Sequence, residues 1–398
     1  MTRTPLGPST RRRSYYWEEL AAEWSNPRRT SQGAGVPAPA QHLRALREGL
    51  GAEPGTVVGM RYLHRVELTD GARRSDRLPR SYQAEHAALT LFGLHQQGMP
   101  RPVHQPGLGL GTACRVLSAH QDTQTSTPPQ PRGERQADGP VVRRLTAAAT
   151  AVDLDELVHH ARSLIPLLRQ ADIGLDYTRL HRDLCDWLTP RHGRVLRAWG
   201  LQFTDPADAH GQSTPDAKKV QPSFWDGFDP TRVNAGADLA ALRSGLGEEA
   251  GTVPAMWSFY RTTMGSDLRV RGALTRDLIA EHASLSLFGL HQQGRQQSVH
   301  TPGVSPGTAC RLLLARDDGI SQAAVEERLG VLLTSVDMGE LAHHLRSLMP
   351  LLRKAGIGLD YDLLRRALRN WDDPQRSDVQ PKLRSSWDRD FHRKDPSA

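Results

Sequence analysis

The chain has 398 residues, with 51 lysines and arginines against 44 aspartates and glutamates, a formal net charge of +7 and a pI of about 9.6. This basic balance makes polyanions the natural class of partner. Three cysteines without a C-x-x-C pair exclude a disulfide framework. Because no apolar run is long enough to span a bilayer and the N-terminus lacks the apolar region of a signal peptide, we expect a cytoplasmic protein with no membrane partner.

The N-terminal 41 residues predict one short helix followed by a loop. Tyr16, Leu20 and Trp24 are spaced at i, i+4 and i+8, which places them on one face of a helix over residues 14–24. The residues that follow, up to Gln41, are rich in Pro, Gly and Ala, as loops are.

From residue 42 onward, one module is written twice. Glu156–Tyr177 returns at Glu340–Tyr361 with 17 of 22 positions identical, and Glu85–Gly98 returns at Glu281–Gly294 with 12 of 14 identical. The offsets are 184 and 196 residues, far longer than the 20–50 residues of a solenoid repeat. The sequence therefore predicts a tandem duplication: a first module over 42–203, a linker over 204–222 and a second module over 223–398.

The local patterns within each module are helical. Residues 42–50, 57–66 and 85–95 of the first module, with their counterparts in the second, read as helices, and Ala88, Leu91, Phe92 and His95 share one face. Thr112 or Thr308 could cap the next short helix. Residues 119–140 are rich in Pro, Gln and Thr and predict a disordered loop.

The C-terminal half of each module begins with an amphipathic helix. Its apolar stripe runs from Leu154 to Leu168, and Pro166 should kink the helix or end it. Gly174 could then close this helix, and Asp176 could cap the next one. Two more helices follow, with tryptophans on their apolar stripes that we assign to the core. The fold class predicted is all-α, with two tandem helical bundles.

No pattern of catalytic, metal-binding or cofactor-binding residues stands out. The adjacent histidines His159 and His160 diverge around a helix and chelate poorly, so packing or capping is the preferred interpretation of the histidines. The phosphate-binding loop and the nucleophile elbow are both missing from the sequence. We therefore expect no enzyme activity, metal, cofactor or small-molecule substrate.

Basic residues recur at matched positions of the two copies and could neutralise a run of phosphates. The competing interpretation is that they pair with acidic residues on helix surfaces. The matched pairs are Arg47/Arg243, Arg65/Arg261, Arg115/Arg311, Arg144/Arg328, Arg162/Arg346, Arg169/Arg353 and Arg194/Lys382.

Each copy resembles the small subunit of the type I-E CRISPR Cascade complex, the CasB family. The resemblance covers nearly all of residues 42–203 and 238–392, and it lies in the order and spacing of short motifs that are met twice. These motifs are Leu46-Arg47 and Leu242-Arg243, Leu91–His95 and Leu287–His291, Gly107–Cys114 and Gly303–Cys310, Leu175–Tyr177 and Leu359–Tyr361, then Trp187 and Trp371.

The resemblance implies an all-α protein of two small helical subdomains per copy, without catalytic activity. It implies partnership with the backbone and large Cascade subunits, the guide RNA and the single-stranded DNA of the R-loop, and one fused chain would fill both small-subunit positions. Two alternatives stay open: a general helical single-stranded nucleic-acid-binding protein, and a scaffold that pairs with acidic proteins. The phosphate contacts that the resemblance implies are Arg47, Arg144, Arg162, Arg169, Arg191, Arg194, Arg243, Arg328, Arg346, Arg353, Arg376 and Lys382.

Overall fold

The structure, a computed structural model, describes residues 14–25, 40–68, 78–124, 139–187, 189–204, 222–316 and 321–393. Across these ranges the chain forms α-helices and short 3-10 helices, and no strand occurs in them beyond two isolated bridges, His104–Leu175 and His300–Leu359. The all-α prediction is confirmed. No helix in these ranges has the length and apolar character needed to cross a bilayer.

The described residues form two compact units, with the boundary between Val195 and Leu196. In the first unit, helix α3 is central and packs against α2, α6 and α7, while α5 packs against α4 and α6. The last helix, α8, runs across the boundary of the units. The helices are α1 (Tyr16–Ser25), α2 (Ala40–Glu48), α3 (Arg80–Gln96), α4 (Leu110–Gln124), α5 (Pro140–Ala149), α6 (Leu154–Gln170), α7 (Tyr177–Asp186) and α8 (His192–Thr204).

The second unit repeats this packing. Helix α11 is central and contacts α9, α14 and α15, and α12 packs against α16. Short 3-10 helices occur at Phe224–Gly227, Pro254–Phe259 and Pro374–Arg376. The α-helices are α9 (Ala235–Arg243), α10 (Ser266–Val270), α11 (Arg276–Gln292), α12 (Pro306–Leu314), α13 (Gln322–Thr334), α14 (Met338–Ala355), α15 (Tyr361–Asn370) and α16 (Val379–His392).

An aromatic cluster anchors the N-terminal segment of the first unit to its core. The ring of Trp17 lies 6.3 Å from Phe92 and 6.0 Å from Tyr177, and its indole N–H donates to Thr178 Oγ1 at 2.9 Å. The predicted face of α1 was wrong in part, because Trp17 and Leu20 are buried whereas Trp24 is 38% exposed. Trp17 thus lies in the core in place of Tyr16, which is half-buried and whose OH is hydrogen-bonded to His42 Nδ1 at 3.3 Å.

The second unit has the same cluster without a long first helix. The ring of Trp225 lies 6.3 Å from Phe288 and 5.6 Å from Tyr361, and its indole N–H donates to Asp362 Oδ1 at 3.1 Å. The 3-10 helix Phe224–Gly227 is thus the counterpart of α1. Trp225 contacts Phe288 and Tyr361 as Trp17 of α1 contacts Phe92 and Tyr177.

The predicted helices over 57–66 and its counterpart are largely wrong. Only Val58–Met60 and Pro254–Phe259 are helical, and both are 3-10 helices. The backbone N–H groups of Arg65 and Val66 donate to the buried carboxylate of Glu85 at 2.7 and 2.8 Å. This carboxylate competes successfully with helical hydrogen bonding, and Glu281 takes the same role in the second unit.

The amphipathic stripe of α6 is confirmed: Leu157, Ala161, Leu164, Ile165 and Leu168 are buried. Pro166 does not end the helix, which continues to Gln170. Gly174 does not close it either. Asp172 adopts the left-handed conformation after α6, with φ 55°, and Gly356 does so at the end of α14, with φ 67°.

Several other boundaries differ from the prediction. Ser305, not Thr308, caps α12, because its side chain accepts from the Thr308 N–H. Helix α4 extends to Gln124, so the predicted loop over 119–140 is helical at its start. Its remainder up to residue 138, residues 26–39 of the N-terminal loop and residues 205–221 of the linker lie outside the described residues. Asp176 caps α7 as predicted.

Candidate nucleic-acid interface

Arg47 and Arg162 are the most exposed of the matched arginines in the first unit. Arg162 follows the buried residue Ala161 on α6, so the amphipathic periodicity directs it to solvent. Arg47 lies in the last turn of α2, and its Nε donates to the Leu43 carbonyl at 3.2 Å. Neither side chain pairs with an acidic group in the described parts of the chain, so both are available to an anion.

Arg169 lies seven residues after Arg162, or about 10 Å along the helix axis. Its Nη1 donates to the Leu94 carbonyl at 3.1 Å, so part of its hydrogen-bonding capacity satisfies the C-terminal end of α3. Leu46, next to Arg47, packs on the same end of α3: a β-carbon at Gly93 would lie 2.4 Å from the Leu46 Cβ. Arg47 and Arg169 therefore flank one end of one helix.

The second unit places the three counterparts in the same way. A β-carbon at Gly289 on α11 would lie 3.2 Å from the backbone N of Arg243, and Arg353 Nη1 donates to the Leu290 carbonyl at 3.3 Å. Arg346 Nη1 would lie 3.7 Å from a β-carbon at Gly247, four residues after Arg243. Arg243 and Arg353 thus lie at the end of α11, with Arg346 beside the segment that follows Arg243, and none of the three pairs with an acid among the residues that the structure describes.

Arg144 and Arg328 occupy matched positions on α5 and α13. Each donates back to its own helix, Arg144 to the Pro140 carbonyl at 3.1 Å and Arg328 to the Ala324 carbonyl at 2.8 Å. Within the described ranges no carboxylate pairs with either. Both remain able to turn outward to a phosphate, since a helix-surface hydrogen bond of this kind is weak.

Two matched pairs are used by the fold itself. The Arg65 guanidinium stacks 4.2 Å above the Tyr15 ring, and Arg261 Nη1 donates to the Ser258 carbonyl at 2.8 Å. Arg115 is buried, with 8% of its surface exposed, and Arg311 Nε donates to the Asp390 carbonyl at 3.2 Å. Arg65 and Arg311 thus connect separate segments of their own units, Arg261 bonds to its own segment, and Arg115 is buried in the fold.

Three other predicted contacts pair with acids. Arg191 and Arg194 both pair with Asp186, the former at 3.6 Å. Lys382 pairs with Asp378 at 2.6 Å, where both side chains are largely exposed. Arg376, on the last 3-10 helix, is exposed and makes no ion pair with a described residue, although its charge contributes to lowering the Asp378 pKa after the larger effect of Lys382.

The buried histidines pack, as the sequence interpretation expected. His95 Nδ1 and Tyr177 OH are hydrogen-bonded at 2.9 Å. Tyr361 OH donates to His291 Nδ1 at 3.0 Å, because the Nε2–H of His291 donates to the Ile357 carbonyl at 2.9 Å. Burial lowers the pKa of both histidines to about 4, which keeps them neutral at pH 7. His159, by contrast, is exposed beside Arg162.

Asp226, His300 and Asp362 form a cluster whose ligand atoms lie within 4.8 Å of one another. The backbone N–H of Tyr361 donates to His300 Nδ1 at 3.2 Å. The neutral ring therefore carries its proton on Nε2, which faces Asp226 Oδ1 at 3.5 Å. Asp362 Oδ1 is already an acceptor for Trp225. These hydrogen bonds attach the 3-10 helix Phe224–Gly227 to the rest of the unit. Because the His300 Nε2 carries a proton, they also oppose metal coordination by the ring.

Sequence reasoning missed Arg295. Its guanidinium lies over Gly356, where a β-carbon would come within 2.9 Å of Nη2. The matched position in the first copy is Met99, so a search for positions that are basic in both copies passes over it. The signal available in the sequence was a cation that occurs in one copy alone.

Comparison with known proteins identifies the family of the chain. The family described as CRISPR-associated protein Cse2 matches residues 42–203 and again 238–392. The crystal structure of CasB from Thermobifida fusca is 28% identical, with a TM-score of 0.32, and the match covers 42% of this chain and 91% of that one. Among curated proteins there was no match. Because the family matches most of its length, the chain belongs to the CRISPR-associated Cse2 family and carries the family's sequence twice in tandem.

Proposed function

We propose that this protein is the non-catalytic small subunit of a type I-E Cascade complex and that one chain fills both small-subunit positions. In this role it contacts the backbone and large subunits and lies beside the guide RNA and target strand. It holds the displaced DNA strand through phosphate contacts and thereby stabilises the R-loop. The tandem match to the Cse2 family supports both the complex and the double occupancy.

One observation carries the binding part of the proposal. Arg47, Arg162 and Arg346 are exposed, Arg243 is half-exposed, and none of the four pairs with an acid among the described residues. An unpaired surface guanidinium breaks no ion pair when it binds a phosphate. Binding is favourable because each neutralised phosphate releases a counterion. This property distinguishes the four from Arg191, Arg194 and Lys382, which already have acidic partners.

The contacts proposed are to the backbone of the strand, not to its bases. Base stacking requires exposed aromatic rings, and the four tryptophans on the apolar stripes, Trp187, Trp199, Trp371 and Trp387, are at most 4% exposed. The exposed rings of the first unit, Trp24 at 38% and Tyr62 at 78%, have no aromatic counterpart in the second copy, so the described residues form no repeated stacking surface. Phosphate contacts fix position without reading sequence. A subunit that must accept any displaced strand needs this kind of binding.

The test uses the assembled complex with its guide RNA. We compare the wild-type chain with a variant carrying Arg47→Ala, Arg162→Ala, Arg243→Ala and Arg346→Ala, and we measure R-loop dissociation at several salt concentrations. Each lost contact should weaken retention about fivefold at 0.1 M salt, from a slope of ~0.7 per contact to a single strand. The control variant carries Arg44→Ala and Arg271→Ala, which remove one exposed arginine from each unit outside the predicted contacts, and should dissociate nearly as the wild type does.

Two outcomes would overturn the proposal. If the fourfold variant retained the R-loop as the wild type does while assembling normally, the arginines would not bind the strand, and a scaffold would be the better interpretation. If native mass spectrometry found two of these chains in each complex, one chain would not fill both positions.

A further inference from the structure

The two copies differ at one corner, the point where the helix carrying Arg169 or Arg353 ends. In the first unit, Asp172 follows α6 and pairs with Arg101, and these side chains are 52% and 60% exposed. The backbone N–H of Asp172 donates to the Arg169 carbonyl at 3.1 Å, so this acid sits directly beyond a candidate phosphate contact. An ion pair between exposed side chains adds at most about 1 kcal/mol to stability. The fold therefore gives little reason for an acid at this position.

The same corner of the second unit lacks the acid. Gly356 replaces Asp172, and its N–H donates to the Arg353 carbonyl at 3.3 Å. Without a β-carbon at this position, the Arg295 guanidinium can lie directly over the glycine. Arg353 donates to the Leu290 carbonyl and to Gln293 Oε1, and neither partner is charged. Lys354, the next residue, is exposed.

The charges at the five matched positions show the difference directly. The first copy has Met99, Arg101, Arg169, Gln170 and Asp172, with a net charge of +1. The second copy has a net charge of +3 at the corresponding positions, which are Arg295, Gln297, Arg353, Lys354 and Gly356.

The charges that act on the buried histidine beside each corner differ in sign between the two copies. Burial is the main cause of the low pKa of His95 and of His291, about 4 in each case. Among the nearby charges, Arg169 lowers the pKa of His95 whereas Asp172 raises it. Arg295 and Arg353 both lower the pKa of His291. The field at the second corner is therefore positive without an opposing acid.

The helix dipole explains only part of the second corner. Cations in the last turn of a helix interact favourably with its C-terminal end, which accounts for Arg353 and Lys354 on α14. Arg295 lies three residues beyond the end of α11, outside the last turn over which the dipole acts, and it makes no side-chain hydrogen bond or ion pair with a described residue. A half-buried guanidinium with unused donors is suited to a planar, multidentate oxyanion such as phosphate.

We propose that Arg295 and Arg353, beside Gly356 and with the exposed Lys354 adding a further charge, form a phosphate-binding site for single-stranded nucleic acid, and that Asp172 masks the corresponding site of the first copy. This inference rests on the proposed function and adds to it that the two copies bind the strand unequally at this corner. The first copy keeps the arginine of the site but neutralises its surroundings.

The test exchanges residues between the copies in the full-length chain. Arg295→Met introduces the residue of the first copy, and Asp172→Gly introduces the residue of the second. Asp172→Gly also relieves the left-handed backbone at φ 55°, which glycine adopts without strain, so the fold should tolerate it. Binding is measured by fluorescence anisotropy with a labelled oligo(dT) of 30 nucleotides over a range of KCl concentrations.

Each exchange has a matched control. Asp155→Gly makes the same substitution at another exposed acid of α6, where the second copy also has glycine, Gly339. Arg271→Met removes an exposed arginine elsewhere on the second unit, one that hydrogen-bonds only to the Asp267 carbonyl. Circular dichroism verifies that all variants keep their helix content.

Arg295→Met should weaken binding about fivefold at 0.1 M KCl and reduce the salt slope by ~0.7, whereas Asp172→Gly should change both by similar amounts in the opposite direction. The controls should change affinity less than twofold. The inference is overturned if Arg295→Met has no larger effect than Arg271→Met, or Asp172→Gly no larger effect than Asp155→Gly. If wild-type binding shows no salt dependence, the proposed function itself fails.

Discussion

The buried pair of Tyr177 and His95, with its twin Tyr361 and His291, predicts a specific loss of stability in acid. Both histidines have a pKa of about 4 in the folded protein, because burial disfavours the charged ring, against an ordinary value of 6.5. The unfolded chain therefore binds a proton at a higher pH than the folded chain does. Stability is fully present above pH 6.5, falls as the pH drops from 6.5 to 4, and levels off below that.

The size of the loss follows from the two pKa values. At pH 5 an unfolded histidine is almost fully protonated and its folded counterpart is not, so each histidine reduces the free energy of unfolding by about 2 kcal/mol relative to neutral pH. His86, His181 and His282 have pKa values that burial lowers as well, so they act in the same direction.

The assay is urea denaturation at pH 7 and pH 5. His95→Gln and His291→Gln each remove one titrating ring, so each variant should lose about 2 kcal/mol less than the wild type between the two pH values. His159→Gln, at an exposed position, should keep the full wild-type loss. If the free energy of unfolding of His95→Gln and His291→Gln changed with pH as much as that of the wild type, the lowered pKa assigned to these buried rings would be refuted.

Three further predictions concern packing and reactivity. Trp225→Ala should cost about 3–5 kcal/mol in urea denaturation, because it removes a large buried side chain and one of the two side-chain donors to Asp362 Oδ1, the other being Ser223; Trp24→Ala, at a 38% exposed position, should change stability little, and an equal effect would contradict the role given to Trp225. Gly307→Ala should lower the melting temperature, because the β-carbon would lie 1.9 Å from the Trp387 carbonyl oxygen and force α12 away from α16, whereas Gly236→Ala, with no atom within 4 Å, should raise stability by up to about 1 kcal/mol. Cys114 and Cys310 should not react with a thiol reagent at pH 8 until urea unfolds the chain, because burial raises their pKa to about 12; a measurable native thiol titre at either residue would contradict that burial.

Much of the architecture could be predicted because it is encoded locally. The stripe from Leu154 to Leu168 has helical spacing whatever surrounds it, and Asp176 caps its helix through a residue three positions away. The duplication strengthened these predictions, because each pattern could be compared with a second copy. The same comparison identified the matched arginines as candidate phosphate contacts.

Long-range contacts account for the errors. Residues 57–66 look helical in sequence, but the Glu85 carboxylate lies about twenty positions away and accepts the backbone N–H groups of Arg65 and Val66. The side chains of the matched arginines also fall into different environments that no local pattern reveals. Arg65 stacks on Tyr15, which is fifty positions away, whereas Arg162 meets solvent.

The sequence alone determined the helical fold class, the two copies and the set of matched cations, because hydrophobic periodicity and repetition depend only on the order of residues. Tertiary structure decided which of those cations remain available to an anion, because pairing depends on side chains that come together only in the folded chain. Arg194 and Arg162 look equivalent in the sequence, yet Arg194 meets Asp186 and Arg162 meets no described acid. Arg295 shows the converse, since only the folded second unit brings it over Gly356 and close to Arg353.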